Sequence, residues 1–139
     1  MMIMDSDVLL ALVRTDNTAV EEWVKELPAK PHTTALALAE VYAAIRRAPE
    51  AIFREARHRA MRAALDGALH RRVLPFDEKA AAELAKLALT PHPEGRTYPL
   101  ATLIPAATAR VLNMKIATGR PEDFLGIDVE LEILKLAGT

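Results

Sequence analysis

The chain lacks several features that would point to common classes of protein. It has no cysteine, which excludes disulfides and thiolate zinc sites and is typical of a cytoplasmic protein. Aromatic residues make up only 4% of the chain, which argues against the base-stacking surfaces of single-strand-binding proteins. The net charge is -1, so any basic surface for a nucleic acid must be local.

Long apolar runs are also missing, although 51% of the residues are hydrophobic. No run approaches the roughly 20 residues that a membrane-spanning helix needs. The apolar start is short, is interrupted by Asp5 and Asp7 and lacks a basic beginning, so we do not expect a signal peptide. We therefore expect a cytoplasmic protein without a membrane partner, folded as one domain over residues 1–139.

Short apolar segments alternate with stretches of helical periodicity along the chain. The apolar segments predict strands near residues 3–5, 31–34, 72–76, 114–118 and 129–133. Helical spacing predicts helices near residues 8–13, 17–27, 35–45, 50–69, 77–89 and 103–112. Asn17 and Asp77 are predicted N-caps, and Asn113 is predicted to end the last helix. This alternation predicts an α/β fold with three α/β/α layers around a short parallel central sheet.

The segment around Asp5 predicts a strand, an acidic tip and a helix in direct succession. An apolar run ends at Asp5, and a helix-like stretch begins at Val8. Ligands and metals bind at the carboxyl ends of strands in open parallel sheets, so Asp5 would lie where such a fold carries out chemistry. The alternative is that Asp5 or Asp7 only caps the first helix, because aspartate favours that position.

Two further acids are candidates for the same site. Glu40 shares a predicted helix face with small apolar residues, and a buried carboxylate is costly unless it is paired or binds a metal. A salt bridge to Arg47 is the alternative explanation. Asp123 follows the strand that ends near Thr118, so it is either a neighbour of Asp5 or a solvated loop residue. Together the three acids would suit Mg²⁺, which prefers carboxylate oxygen.

Arginines are concentrated between residues 46 and 72. Arg54, His58 and Arg62 follow each other at helical spacing, which places them in one stripe of a helix. A basic stripe suits a phosphate backbone, so Arg54 and Arg62 are predicted contacts for a nucleic acid. The alternative is an ordinary solvated helix face. The histidines show no metal-ligand spacing, and we predict no role for them.

These features together resemble the PIN-domain family, specifically the VapC-like toxins of bacterial toxin–antitoxin pairs. The resemblance covers nearly the whole chain, and the ordered set of motifs is fairly specific. The matching segments occur in family order and at family-like separations, at residues 3–9, 38–41, 73–78, 106–109 and 116–124.

The resemblance implies an endoribonuclease that hydrolyses RNA phosphodiesters with Mg²⁺ or Mn²⁺. It maps the metal cluster onto Asp5, Glu40 and Asp123, with Asp5 binding the metal directly and the other two directly or through water. It also implies a cognate antitoxin as partner and a homodimer. Arg54 and Arg62 would position the RNA for in-line attack on a phosphodiester.

One position departs from the family pattern. Family members usually carry a further Asp at the start of the helix before the fourth strand, and a gapless count back from Asp123 places Thr102 there. Thr102 would be a good helix N-cap, but an uncharged hydroxyl cannot hold Mg²⁺ as a carboxylate does. Asp7 would partly restore the missing charge if its side chain turns inward.

Two alternatives to the nuclease stay open. The first is a catalytically degenerate PIN domain that serves as a binding or regulatory module, and Thr102 is the reason to consider it. The second is a haloacid-dehalogenase-like phosphatase, in which Asp5 would be the nucleophile and Asp7 the general acid. No convincing downstream lysine with paired acids supports that alternative.

Overall fold

The computed structural model describes residues 1–14 and 18–136, so the predicted cap at Asn17 lies outside the described residues. Within the described residues the strands are β1 (Met2–Met4), β2 (His32–Thr34), β3 (Val73–Leu74), β4 (Lys115–Thr118) and β5 (Leu131–Ile133). They form one sheet in the order β3-β2-β1-β4-β5. Every neighbouring pair is parallel, so each connection must cross over the sheet.

α-Helices supply the first three crossovers, and the connection from β4 to β5 carries a 3₁₀ turn at Pro121–Phe124. In the described part of the chain the α-helices are α1 (Ser6–Arg14), α2 (Thr18–Glu26), α3 (Ala35–Arg47), α4 (Ala51–Asp66), α5 (Glu78–Leu87) and α6 (Leu100–Leu112). One core cluster joins the sheet to α1–α4, and a second joins it to α5 and α6. The predicted three-layer α/β/α fold with a short parallel central sheet is therefore confirmed. No helix in the described segments is long and apolar enough to cross a membrane.

The central strand β1 contributes to both core clusters. Ile3 packs with Ile116 of β4 in the cluster next to α5 and α6. Met4 packs with Val8 and Val41 in the cluster next to α1–α4. Successive strand side chains point to opposite faces, so this two-sided burial fixes the register of β1 and with it the position of the residue that follows.

Polar residues set the ends of three helices. Asp77 accepts a hydrogen bond from the N–H of Ala80 at the start of α5, which confirms the predicted cap. Thr34 does the same for α3 through the N–H of Ala37. Asn113 follows α6 with φ 54°, the left-handed conformation predicted for it.

Some predicted boundaries are wrong for identifiable reasons. The strand predicted at residues 72–76 contains only Val73 and Leu74, because Pro75 has no N–H for a strand ladder. Phe76 lies outside the strand and is 45% exposed. The last helix begins at Leu100, three residues earlier than predicted, so Pro105 lies in its second turn and not in its first.

Candidate functional site

The carboxyl ends of β1 and β4 lie side by side near the centre of the sheet. Asp5 directly follows β1, and its N–H donates to the carbonyl of Ala117 in β4 at 2.9 Å. Thr118 ends β4, and a 3₁₀ turn at Pro121–Phe124 follows. The sheet edge therefore brings the N-terminal acid next to the turn that carries Asp123.

Asp5 is held by hydrogen bonds to both of its carboxylate oxygens. Oδ1 accepts from the N–H of Ser6, and Oδ2 accepts from the hydroxyl of buried Thr118, each at 2.9 Å. The Asp5 carbonyl also accepts from the N–H of Leu9, so the backbone of Asp5 does lie at the cap position just before α1. Its side chain, however, is bound across to β4 and not to the second or third N–H of the helix, as a capping side chain would be.

Asp7 also turns inward. Its Oδ2 accepts from the N–H of Gly119 at 2.9 Å, and only 12% of its side chain is exposed. Burial raises the pKa of Asp7, and the nearby charge of Asp5 raises it further, whereas Arg120 lowers it. The sequence left the orientation of Asp7 open, and the contact with Gly119 settles it.

Gly119 allows this close approach because it has no Cβ. A Cβ at this position would lie 2.7 Å from Cδ1 of Leu136 and 3.0 Å from Oδ2 of Asp7. We expect Gly119→Ala to lower the free energy of unfolding by about 1–3 kcal/mol, the usual cost of overpacking, measured by urea denaturation.

A double-mutant cycle with Leu136→Ala provides the control for this prediction. Shortening Leu136 removes the nearest clash, so Gly119→Ala should cost clearly less in the Leu136→Ala background. An equal cost in both backgrounds would contradict the packing explanation.

Glu40 lies half-buried on α3 and is directed toward the same acids. Burial raises the pKa of Glu40, and the charge of Asp5 raises it further, while Arg120 and a hydrogen bond from Ser6 lower it. Within the described residues no ion pair joins Glu40 to Arg47, so the salt-bridge explanation is not seen. Glu40 also borders a groove between α1 and α3, beside Leu10 and Ala43.

Asp123 lies in the 3₁₀ turn, with 39% of its side chain exposed. Burial raises the pKa of Asp123, the charges of Glu122 and Asp5 add to this effect, and Arg120 and Arg96 lower it. The negative charge of Asp5 thus acts on Asp123 in the direction expected for like charges.

Arg120 is the site residue that sequence reasoning missed. Its Nη2 lies 3.8 Å from Oδ2 of Asp5, and its Nε lies 3.6 Å from Oδ2 of Asp7 and 3.5 Å from Oδ2 of Asp123. Its backbone N–H donates to the Thr118 hydroxyl at 3.0 Å. The only sequence signal was its position three residues before Asp123, which is ordinary for a surface pair.

A cleft of about 330 Å³ opens at this edge of the sheet. Its lining includes Asp5, Glu40 and Asp123, together with Arg120. The loop at residues 90–99 forms part of the wall through residues 92 and 96–99. Asp7 is not part of this lining and borders a neighbouring groove instead.

Thr102 reaches the cleft from the first turn of α6 and is only 4% exposed. It is not the N-cap that the sequence predicted. Pro99 occupies that position, and the N–H of Thr102 donates to the Pro99 carbonyl at 3.0 Å. Thr102, the position where the family usually carries a further Asp, therefore lines the same cleft as the acids.

The sequence profile of the PIN domain matches residues 2–127. The chain belongs to the PIN-domain family. This confirms the resemblance found in the motifs and argues against a haloacid-dehalogenase-like phosphatase. No curated protein gives a significant match to this PIN domain.

Solved structures share the fold of this PIN domain over nearly their whole length. A chain of FitAB bound to an IR36 DNA fragment is 25% identical, with a TM-score of 0.81 over 96% of this chain and 94% of that chain. A chain of VapBC2 from Rickettsia felis, bound to a promoter DNA fragment, is 14% identical, with a TM-score of 0.83 over 96% and 98%. VapBC-5 of Mycobacterium tuberculosis, from the VapBC family of toxin–antitoxin systems, is 23% identical, with a TM-score of 0.67 over 96% and 97%.

The family implies a divalent cation, and the cleft fits one in its chemistry. Asp5, Glu40 and Asp123 offer it carboxylate oxygens, which Mg²⁺ and Mn²⁺ prefer as ligands. The charge of Asp5 contributes to the raised pKa values of Glu40 and Asp123, a repulsion that a cation would relieve. In the described ranges no three acidic or histidine side chains are close enough to hold one ion, so side chains must shift before three acids can share it.

The arginines predicted to contact RNA lie apart from this cleft. Arg54 and Arg62 are on α4, and neither belongs to the cleft lining. Nη1 of Arg54 donates to the carbonyl of Ala48 at 2.6 Å, so this side chain also closes the turn between α3 and α4. Arg62 is exposed. Their role in RNA binding stays a prediction.

Proposed function

We propose that this PIN domain is a metal-dependent endoribonuclease of the VapC type that hydrolyses RNA phosphodiesters with Mg²⁺ or Mn²⁺. The proposal rests on one observation: Asp5, Glu40 and Asp123 line the same cleft at the carboxyl edge of the sheet. These acids come from three distant parts of the chain, so local sequence does not account for their meeting. Their carboxylates match the ligands that such a cation takes.

The acids are assigned different roles because they are held differently. Asp5 is the most firmly oriented, through Ser6 and Thr118, and it is assigned to bind the metal directly. Glu40 and Asp123 are assigned to bind it directly or through water and to orient the attacking water. When bound, the cation supplies Lewis-acid activation of water and neutralises charge that develops on the phosphate.

The RNA backbone is proposed to enter along the loop at residues 90–99. Arg96 lines the cleft from this loop and is exposed. It pairs with Glu94 at 2.6 Å, but an exposed pair contributes little to stability, so Arg96 can turn to a phosphate. Arg54 and Arg62 on α4 are proposed as outer contacts for the rest of the strand. Phosphate contacts of this kind give affinity without reading sequence.

The direct test is cleavage of a mixed RNA pool by the purified protein with Mn²⁺, Mg²⁺ or a chelator. We expect cutting with either metal, none with the chelator, and recovery when metal is added back. Folded protein that leaves all RNA intact at millimolar metal would refute the nuclease proposal. Cutting that persists in the chelator would refute its metal dependence.

A second candidate function is a degenerate PIN domain that binds partners without cutting RNA. The observation that favours it is Thr102, which lines the cleft where the family usually places a further carboxylate. Metal binding without RNA cleavage would support this candidate. In a binding module, substitutions of the cleft acids should affect function less than substitutions on the surface that binds the partner.

An antitoxin and a second copy of this chain are the proposed protein partners. FitAB and VapBC structures share the fold, and VapBC-5 is a toxin–antitoxin system. On α6, exposed Leu100 and half-buried Ile104 and Val111 follow helical spacing and form an apolar stripe. Light scattering of the purified chain would give its mass in solution; a monomer at all concentrations would refute the homodimer.

A further inference from the structure

The guanidinium of Arg120 lies among carboxylates from different parts of the chain. Asp5, Asp7 and Asp123 each contact it, at 3.5–3.8 Å. One positive charge is therefore shared by three negative charges, which would repel each other without it. Arg120 thus does in the protein what a bound cation would do, and it does so in the same place.

These contacts are long compared with the three shortest ion pairs among the described residues. A charge-assisted hydrogen bond usually measures about 2.7–2.9 Å, and 46% of the Arg120 side chain is exposed. Short pairs of 2.6–2.7 Å join Arg96 to Glu94, Arg71 to Asp66 and Arg110 to Glu83. Nη2 of Arg120 also donates a hydrogen bond to the Ser6 hydroxyl, at 3.3 Å. Arg120 is therefore held by several long contacts and not by one short ion pair, so it can be exchanged for another cation.

A divalent cation and this guanidinium cannot both occupy the acid cluster as it stands. Mg²⁺ binds oxygen at about 2.0–2.1 Å, and a guanidinium touching the same carboxylates would be repelled by it. Arg120 contacts Asp5 and Asp123, two of the proposed ligands, at the same time. Metal binding by these two acids therefore requires Arg120 to leave them.

We propose that Arg120 is a built-in competitor for the metal, which neutralises the acid cluster without metal and which Mg²⁺ or Mn²⁺ must displace. The inference rests on the proposed metal-dependent function and adds that a residue of the chain itself limits metal binding. The affinity of the PIN domain for metal then depends on how much more strongly the acids bind the metal than they bind the guanidinium of Arg120. Removing the competing cation should therefore raise the affinity for the other.

The first test measures Mn²⁺ binding by calorimetry, with the metal alone and no RNA, for wild type and Arg120→Gln. We expect the Kd for Mn²⁺ to fall about tenfold in Arg120→Gln, within the usual range of coupling between two ligands. Arg120→Lys keeps a cation at this position, so its Kd should stay within about threefold of wild type.

Arg96→Gln is the matched control, because Arg96 lines the same cleft but its short ion pair is with Glu94. It removes one positive charge from the cleft without freeing the acids, so we expect it to change the Kd by less than about threefold. An unchanged or weaker affinity in Arg120→Gln would overturn the competition. An equal gain in both variants would also overturn it, because a general charge effect would then suffice.

A measurement on the wild-type protein covers the case in which Arg120→Gln does not fold. The ¹⁵Nε–H signal of Arg120 should shift, and its exchange with water should increase, when Mg²⁺ is added. The signal of Arg110, which pairs with Glu83 at 2.7 Å, should stay in place. If the shift and the water exchange of the Arg120 signal stay unchanged at saturating Mg²⁺, the proposed displacement is wrong.

The outcomes separate this inference from the proposed function. Metal-dependent RNA cleavage with equal Mn²⁺ affinity in wild type and Arg120→Gln would refute the competition alone. Tighter binding in Arg120→Gln without any RNA cleavage would support the competition and refute the nuclease. Absence of metal binding in every variant would refute both.

Discussion

Asp5→Asn should abolish metal-dependent RNA cleavage while leaving the fold intact. The substitution keeps the shape of the side chain and removes the charge of the acid that is fixed best, by Ser6 and Thr118. Loss of one preorganised group that stabilises charge costs on the order of 100-fold or more in rate. The measurement is the initial rate of RNA cleavage at saturating Mn²⁺, together with the Tm of both proteins.

The stability of Asp5→Asn provides an independent check. The charge of Asp5 raises the pKa values of Asp7, Glu40 and Asp123. An acid whose pKa is raised by folding destabilises the folded state when it is ionised. Removing the charge of Asp5 relieves part of this repulsion, so the Tm at neutral pH without metal should stay the same or rise.

Asp128→Asn is the control for this substitution. Asp128 is fully exposed and pairs with Arg110 at 3.4 Å, just before β5 and so at the opposite edge of the sheet. The same chemical change there should leave the cleavage rate within about twofold of wild type, because an exposed pair contributes little. Full activity in Asp5→Asn, or a comparable loss in Asp128→Asn, would contradict the assignment of the cleft.

Much of the fold was predictable because its signals are local and consistent. A strand such as β1 is short and apolar on both faces, since Ile3 and Met4 enter opposite core clusters. The segments between strands carry helical spacing and caps such as Asp77. The prediction went wrong where one residue overrides the pattern, as Pro75 does in ending β3.

Two of the candidate acids could be found in the sequence because they conflict with their local surroundings, whereas Asp123 was a candidate only because it follows a predicted strand. Asp5 ends an apolar strand, and Glu40 interrupts a helix face of small residues. Such conflicts are expected at functional sites. The structure places both in the cleft with Asp123, whereas their roles as metal ligands stay predictions.

The contacts that hold these acids could not be predicted, because they depend on the register between distant strands. β1 pairs with β4 so that Met4 lies opposite Ala117, and this brings Thr118 to Asp5. A register shifted by one residue would turn Thr118 to the other face. Arg120 was missed for the same reason, since its acidic neighbours come from the β1–α1 junction, at Asp5 and Asp7, and from the turn after β4.

Thr102→Asp should convert the cleft into a stronger metal site. The new carboxylate would lie in the first turn of α6, which favours a negative charge, in a position only 4% exposed and lining the cleft with Asp5 and Asp123. Without metal the added charge is buried among other acids, so we expect the Tm to fall. With Mn²⁺ we expect about tenfold tighter binding, comparable to the effect of other groups around metals, and faster RNA cleavage.

Thr102→Asn separates charge from size in this experiment, because asparagine matches aspartate in shape and carries no charge. It should show neither the tighter Mn²⁺ binding nor the gain in cleavage. If wild type cuts no RNA and only Thr102→Asp does, Thr102 is the reason that the natural protein is a binding module. If wild type already cuts RNA, the other acids suffice for catalysis, and the effect of Thr102 is only to lower the affinity for the metal. A folded Thr102→Asp protein with unchanged Mn²⁺ affinity would show that α6 does not contribute a ligand, and the argument for degeneracy would lose its basis.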